Sequence, residues 1–316
     1  LVTLMWMFFL MIRRTTRSTQ SMSSAASDVY KRQTLNGASL VYTSLLDTKL
    51  ASVVEKTPGT ILNGCYHCAL SPDRTHMACM RYDPDHGNNY SLSLWRVTDN
   101  GVEEIFTKQI LGIWTHSALS FSPDGTLLAA NSMGIDSTDF YCSIIRWSIP
   151  DGSQVLEIKQ PSEPFLYNLF SPDGTLLASL SEYGTIKLWR VSDGNQLFAL
   201  QGQDNIWGSL KFSPDGTILV TTSENKINLW RVADGNLVQT LTGHSEPVND
   251  FAFSPDGSLL ASGGVGNPIS IWRVSDGQLL STIHGHYDIT DLVAFSPDGV
   301  FLTTASRLGL QIWGVP

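Results

Sequence analysis

The stretch that decides the fold is LTGHSEPVNDFAFSPDGSLLASGGVGNPISIWRVSDG, residues 241–277. It holds two markers, Ser-Pro-Asp-Gly at 254–257 and Ile-Trp-Arg-Val at 271–274, and both recur along the chain. The first appears as LSPDR at 70–74 and then as FSPDG at 121–125, 170–174, 212–216, 253–257 and 295–299. The serine-to-serine steps are 51, 49, 42, 41 and 42 residues. The second marker alternates with it: LWRV at 94–97, RWSI at 146–149, LWRV at 188–191 and 229–232, IWRV at 271–274 and IWGV at 312–315. A fixed alternation of two markers at this period is the signature of a repeat architecture.

Each unit reads as four short strands. In the fifth they fall on Leu237–Leu241, Val248–Phe253, Ser258–Ser262 and Ile269–Val274. Apolar and polar residues alternate there with the period of a strand, and no window sustains a helical stripe. The turns follow from their chemistry. In Ser-Pro-Asp-Gly the proline presets φ at the second position of a type I turn, and serine and glycine suit the first and fourth. In Val-Ser-Asp-Gly (191–194, 274–277) and Val-Ala-Asp-Gly (232–235), Asp-Gly supplies the positive φ of a tight hairpin. Four strands per 40–45 residues, with a tryptophan closing the last, predict an all-β propeller of four-stranded blades with six repeats visible.

This repeat resembles the WD-repeat (β-transducin-like) propeller family over residues 38–316, and WRVSDG in place of Trp-Asp resembles its bacterial branch. Six blades are complete if Lys49–Glu55 supplies the outer strand of the last. Residues 40–50 also align with 187–197, with Tyr42 in the tryptophan slot, and so read as the tail of an earlier repeat in a seven-bladed ring. The repeats divide roughly as 49–97, 98–149, 150–191, 192–232, 233–274 and 275–316. Residues 1–33 stand apart as an artefact or disordered tail. The string FFLMIRRTTRSTQSMSSAASDVYKRQ (8–33) resembles translated sequencing-adapter sequence, and the nine apolar residues of Leu4–Ile12 are too few to span a bilayer.

Composition narrows the function. The chain has 316 residues, 42% apolar and 16% charged, with a net charge of −9. Five of its 20 basic residues lie in the first 33, so the propeller is strongly acidic and lacks the footprint of a nucleic-acid binder. Four cysteines make no disulfide framework. Their low number permits the cytoplasm. Cys65-Tyr66-His67-Cys68 has the spacing of half a zinc knuckle. No second pair follows, Cys79 and Cys142 stand alone, and Cys65 and Cys68 fall on core slots, so they read as small buried hydrophobes. No nucleophile elbow, phosphate loop or zinc-protease motif is present, and neither an enzyme, a cofactor nor a metal is expected.

The resemblance implies a buried His, Ser/Thr, Asp and Trp network in each blade. Gly-His survives only at Gly243-His244 and Gly285-His286. The six Asp slots hold Asn89, Tyr141, Tyr183, Glu224, Gly266 and Arg307, so the network is expected to be largely absent. The resemblance also implies partner contacts on one face, the top. Flanking the Val slot these are Tyr66, Thr115, Ser117, Leu166, Ile206, Asn249, Ile289 and Asp291. Before the Asp slot they are Asn88, Phe140, Glu182, Ser223, Val265 and Ser306. Trp114 and Trp207 lie beside them or pack in the core. Insertions at 83–88 and 134–140 read either as an acidic lobe for a partner or cation, or as solvated loops. The expected function is a non-catalytic, monomeric scaffold for a protein or peptide, without nucleic acid or membrane. The alternative is a regulatory module of a larger bacterial protein with an upstream kinase, NTPase or protease domain.

Overall fold

The computed structural model describes residues 65–83, 89–98, 101–110, 119–135, 140–161, 164–181, 184–200, 209–266, 268–284, 289–306 and 309–315. Residues 1–33, Lys49–Glu55 and the alignment over 40–50 lie outside them. Every regular element described is a strand, and no helix is long and apolar enough to cross a membrane.

The strands form antiparallel meanders. The first sheet is β1 (Cys65–Leu70), β2 (His76–Asp83), β3 (Asn89–Thr98) and β4 (Gly101–Ile110). The second is β5 (Leu119–Phe121), β6 (Leu127–Ile135), β7 (Phe140–Ser148) and β8 (Gln154–Pro161). The third is β9 (Phe165–Phe170), β10 (Leu176–Ser181), β11 (Ile186–Arg190) and β12 (Gln196–Leu200). The fourth is β13 (Leu210–Phe212), β14 (Ile218–Ser223), β15 (Lys226–Arg231) and β16 (Leu237–Thr242). The fifth is β17 (Val248–Phe253), β18 (Leu259–Gly264), β19 (Ile269–Arg273) and β20 (Leu279–Ile283). The sixth has three strands among the described residues, β21 (Thr290–Phe295), β22 (Phe301–Ser306) and β23 (Gly309–Gly314). These six sheets are consistent with a WD-type β-propeller of six blades. By compactness the chain divides into two units, Leu1–Asn168 and Leu169–Pro316.

Sheet and sequence repeat are out of step by one strand. A repeat cut from tryptophan to tryptophan gives its first strand to one sheet and its next three to the following sheet. The fifth repeat thus sends β16 to the fourth sheet and β17, β18 and β19 to the fifth.

Neighbouring sheets bury each other's faces. In the first unit Met80, Leu92 and Leu94 of one sheet pack with Leu128, Ala130 and Trp147 of the next. In the second unit Leu188 and Ile186 meet Phe212 and Trp230, Leu229 and Val220 meet Phe251 and Trp272, and Ile271 meets Val293 and Leu302. A strand covered on both sides has no polar face, which is why β10 reads Leu-Leu-Ala-Ser-Leu-Ser and is buried from Leu177 onward. Each fully buried large side chain contributes roughly 1.5–3 kcal/mol.

The Ser-Pro-Asp-Gly turns behave as their chemistry predicts. Gly174 N–H donates to the Ser171 carbonyl (2.8 Å), Leu176 N–H to Ser171 Oγ (2.9 Å) and Thr175 N–H to Asp173 Oδ1 (3.0 Å). The pattern repeats at Ser122, Ser213, Ser254 and Ser296. Arg74 holds the glycine position at φ 62°, a region that costs a non-glycine residue about 1 kcal/mol. The Asp-Gly turns are longer than a two-residue hairpin. Gly194 N–H reaches back to Arg190 O, only Gly194 has positive φ (73°), and the register slips at Trp189. Arg190, Arg231 and Arg273 each grip the aspartate three residues on at 2.8–2.9 Å.

Strand pairing reaches the described ends of both insertions. β2 runs to Asp83, which pairs with Asn89, and β6 runs to Ile135, which pairs with Phe140. Residues 84–88 and 136–139 lie outside the described residues.

Candidate functional site

More of the polar core survives than the missing aspartates imply. Two residues beyond the position opposite each tryptophan, the second strand of a sheet offers a hydroxyl. Trp189 donates to Ser179 (2.8 Å), Trp230 to Thr221 (3.0 Å), Trp272 to Ser262 (2.8 Å) and Trp313 to Thr304 (3.1 Å). In the second sheet the slot is Ala130, and the buried Trp147 Nε1 meets no acceptor. In the first sheet the slot is Cys79. His244 extends the fifth set, with Nε2 at 2.7 Å from Ser262 Oγ and its ring 6.0 Å from that of Trp272. Gly266 stands where the family's aspartate would be, and nothing lies within 4 Å of where its side chain would begin. His244 Nδ1 is therefore left unpaired, and burial pushes the imidazole down to about 4.

A second polar tie was not legible in the motifs. Asp250 on β17 is 7% exposed, and its carboxylate joins three consecutive sheets. Oδ1 accepts from Lys211 Nζ on β13 at 2.7 Å and from Ser209 Oγ at 3.3 Å, while Oδ2 accepts from Val293 N–H on β21 at 2.8 Å. Lys211 also donates to the Phe251 carbonyl and lies over the Phe251 ring. In the first unit Asn131 on β6 plays a similar part, donating to Phe165 O (3.0 Å) and accepting from Asn168 (2.8 Å). The available signal was an acid in an inner strand where the aligned residues are Ser209 and Leu292.

The meander sorts the turns by end. Both kinds of Asp-Gly turn fall at one end of each sheet, and the first strand begins at the other. At that other end the first strand carries an extra residue in three sheets. Cys65 pairs with Arg81 and His67 with Met80, leaving Tyr66 as the bulged residue. Asn249 is bulged between Val248 and Asp250, and Asp291 between Thr290 and Leu292. A bulge lifts a residue out of the pleat and re-aims it, which is how strands commonly present contact residues.

Around these the residues differ in access. Val265 is 37% exposed, Ser223, Asn249 and Ile289 are half-buried, and Leu166 (8%) and Ser306 (0%) are buried. Asn88, Thr115, Ser117, Glu182 and Ile206 lie outside the described residues, as do Trp114 and Trp207. Phe140 opens β7, paired with Ile135. In the second unit, Val265, Ser223 and Asn249 share one built corner. Glu224, at φ 51°, accepts from Val248 N–H through its carbonyl (2.9 Å), and Asn225 donates to His244 O (2.9 Å). Gly264 has no room for a side chain, since a Cβ there would lie 1.9 Å from Pro247 O. That close approach brings Val265 N–H to 3.2 Å from the same carbonyl. Glu224 and Glu246, both exposed, adjoin Ser223 and Pro247 in the chain.

Among the described residues no three His, Cys, Asp or Glu side chains converge as metal ligands. Cys79 does not stand alone, because it is bonded to Cys68. Cys142 is buried and forms no disulfide, and Cys68 is buried as its core slot requires.

Comparison with known families gives two matches. A WD domain, G-beta repeat model matches residues 235–273 and 277–313, and the Anaphase-promoting complex subunit 4 WD40 domain model matches residues 168–247. No curated protein matches the chain. WD repeats are generally protein-interaction scaffolds that bind proteins or peptides, and they are typically non-catalytic. The six sheets, the tryptophan-to-hydroxyl pairs and these matches together support assignment of the chain to the WD-repeat propeller family.

Proposed function

We propose that the chain is a non-catalytic scaffold that binds a protein or peptide at the bulged end of the sheets of its second unit. The observation that carries this is the bulge that recurs at Asn249 and Asp291 in two successive sheets of the second unit, positions where the family resemblance implies partner contact. An exposed valine beside half-buried polar groups and two glutamates suits a peptide that offers an apolar side chain next to a basic one. The buried Ser306 acts in this reading as packing beneath the contact end.

The test is to pan a random peptide library on the immobilised full chain and measure binding of the selected peptides. Val265→Asp or Asn249→Ala is expected to weaken them at least about tenfold, while Val300→Asp, in an exposed turn at the opposite end, leaves them unchanged. Binding lost at Val300 and kept at Val265 and Asn249 would overturn the proposal.

A further inference from the structure

One cross-strand pair sets the first sheet apart. The residue opposite the hydroxyl slot is Leu119, Leu210, Phe251 and Val293 in the second, fourth, fifth and sixth sheets, an apolar side chain each time. In the first sheet both members are cysteine: Cys68 on β1 faces Cys79 on β2, with Cα atoms 4.1 Å apart and the sulfurs bonded. Cys79 is wholly buried, Cys68 is 7% exposed, and both pack with Met77, Trp95 and Val97. β1 lies at the edge of its sheet and pairs within it only with β2. The bridge therefore adds a covalent tie to a strand otherwise held in its sheet by one ladder.

We propose that Cys68–Cys79 is a reversible thiol–disulfide latch on β1. The reductant is a thiol of the glutathione class. Its thiolate attacks Cys68 Sγ, the more accessible sulfur, to give a mixed disulfide, and Cys79 leaves as thiolate and takes up a proton. A second thiol attacks the mixed disulfide, releasing Cys68 as thiol. Two electrons and two protons pass to the protein, and one small-molecule disulfide forms. Oxidised, the latch fixes β1. Reduced, Cys79 returns to the role of the small slot residue, and β1 is free to open from the edge.

The test equilibrates the full chain in glutathione buffers of graded oxidised-to-reduced ratio, traps thiols with N-ethylmaleimide and maps them by mass spectrometry. Hydrogen exchange of residues 65–70 is followed in parallel. Cys68 and Cys79 are expected to gain label together as the buffer becomes reducing. Exchange in β1 should then rise at least about tenfold, with β17 unchanged. Cys79→Ser places in the slot the residue found at Ser179 and Ser262, and should exchange in β1 like the reduced protein at every ratio. A bridge that persists in all buffers, thiols free in all, pairing of Cys68 with Cys65, or β1 exchange indifferent to redox state would each overturn the proposal.

Discussion

Ser262 Oγ serves two buried groups at once, accepting from Trp272 Nε1 and sharing a hydrogen bond with His244 Nε2. Replacing it with alanine strands both, and a buried polar group left unpaired costs about 1–3 kcal/mol. Ser262→Ala is expected to destabilise the protein by about 2–3 kcal/mol in denaturant unfolding. The second sheet supplies the converse. There Ala130 already leaves Trp147 Nε1 without an acceptor, and Ala130→Ser should stabilise by about 1 kcal/mol. Equal losses at both sites would show that the hydroxyl slot contributes by packing alone.

At the scale of the element, Asp250 matters because one side chain serves three strands. Asp250→Ala removes the acceptor of the buried Val293 N–H and leaves Lys211 over the Phe251 ring without its counter-charge. The expected cost is about 2–4 kcal/mol, read as a lower urea midpoint. Adding Lys211→Met should recover part of it, and a double variant no better than the single would refute the pairing. Strand placement was largely legible beforehand. The strands expected at 237–241, 248–253, 258–262 and 269–274 were found at Leu237–Thr242, Val248–Phe253, Leu259–Gly264 and Ile269–Arg273. Alternation and turn chemistry are local, and the chain states them outright. The Cys68–Cys79 bond and the Asp250 tie were not legible, because each joins residues that become neighbours only through pairing register or the stacking of sheets. The bulges at Asn249 and Asp291 were hidden for the same reason: an extra residue in a ladder is defined by the partner strand. Pairing that reaches Asp83 and Asn89, and Ile135 and Phe140, was hidden in the same way, since the length of a ladder is set by both strands.

For the molecule as a whole, the perturbed groups act in one direction with pH. His244 is held neutral by burial, at about 4 against an ordinary 6.5, so the unfolded chain binds a proton there first. Its contribution is complete above pH 6.5 and is lost as pH falls toward 4, up to about 3 kcal/mol. Burial also lowers His76, with the same sign. The turn carboxylates of Asp124, Asp173 and Asp215 are held below the usual range, first by the serine hydroxyl and then by a backbone N–H. Their contribution is present above the ordinary carboxylate pKa and falls away as these groups protonate. Stability measured by urea unfolding should therefore decline between pH 6.5 and 4 and drop further below that. In His244→Gln the upper part of the decline should largely vanish, and a slope unchanged in that variant would refute the assignment.

The one-strand offset between repeat and sheet has a consequence for heredity. Excising one tryptophan-to-tryptophan segment, such as 233–274, takes β16 from one sheet and β17, β18 and β19 from the next. The strand left over, β20, then falls where β16 had been, and no sheet is left short. Misaligned recombination between the stretches that encode the shared Ser-Pro-Asp-Gly and Trp-Arg-Val markers can thus add or subtract a copy while each surviving sheet keeps the number of strands it had. The number of repeats becomes a trait that a lineage can count up or down in single steps.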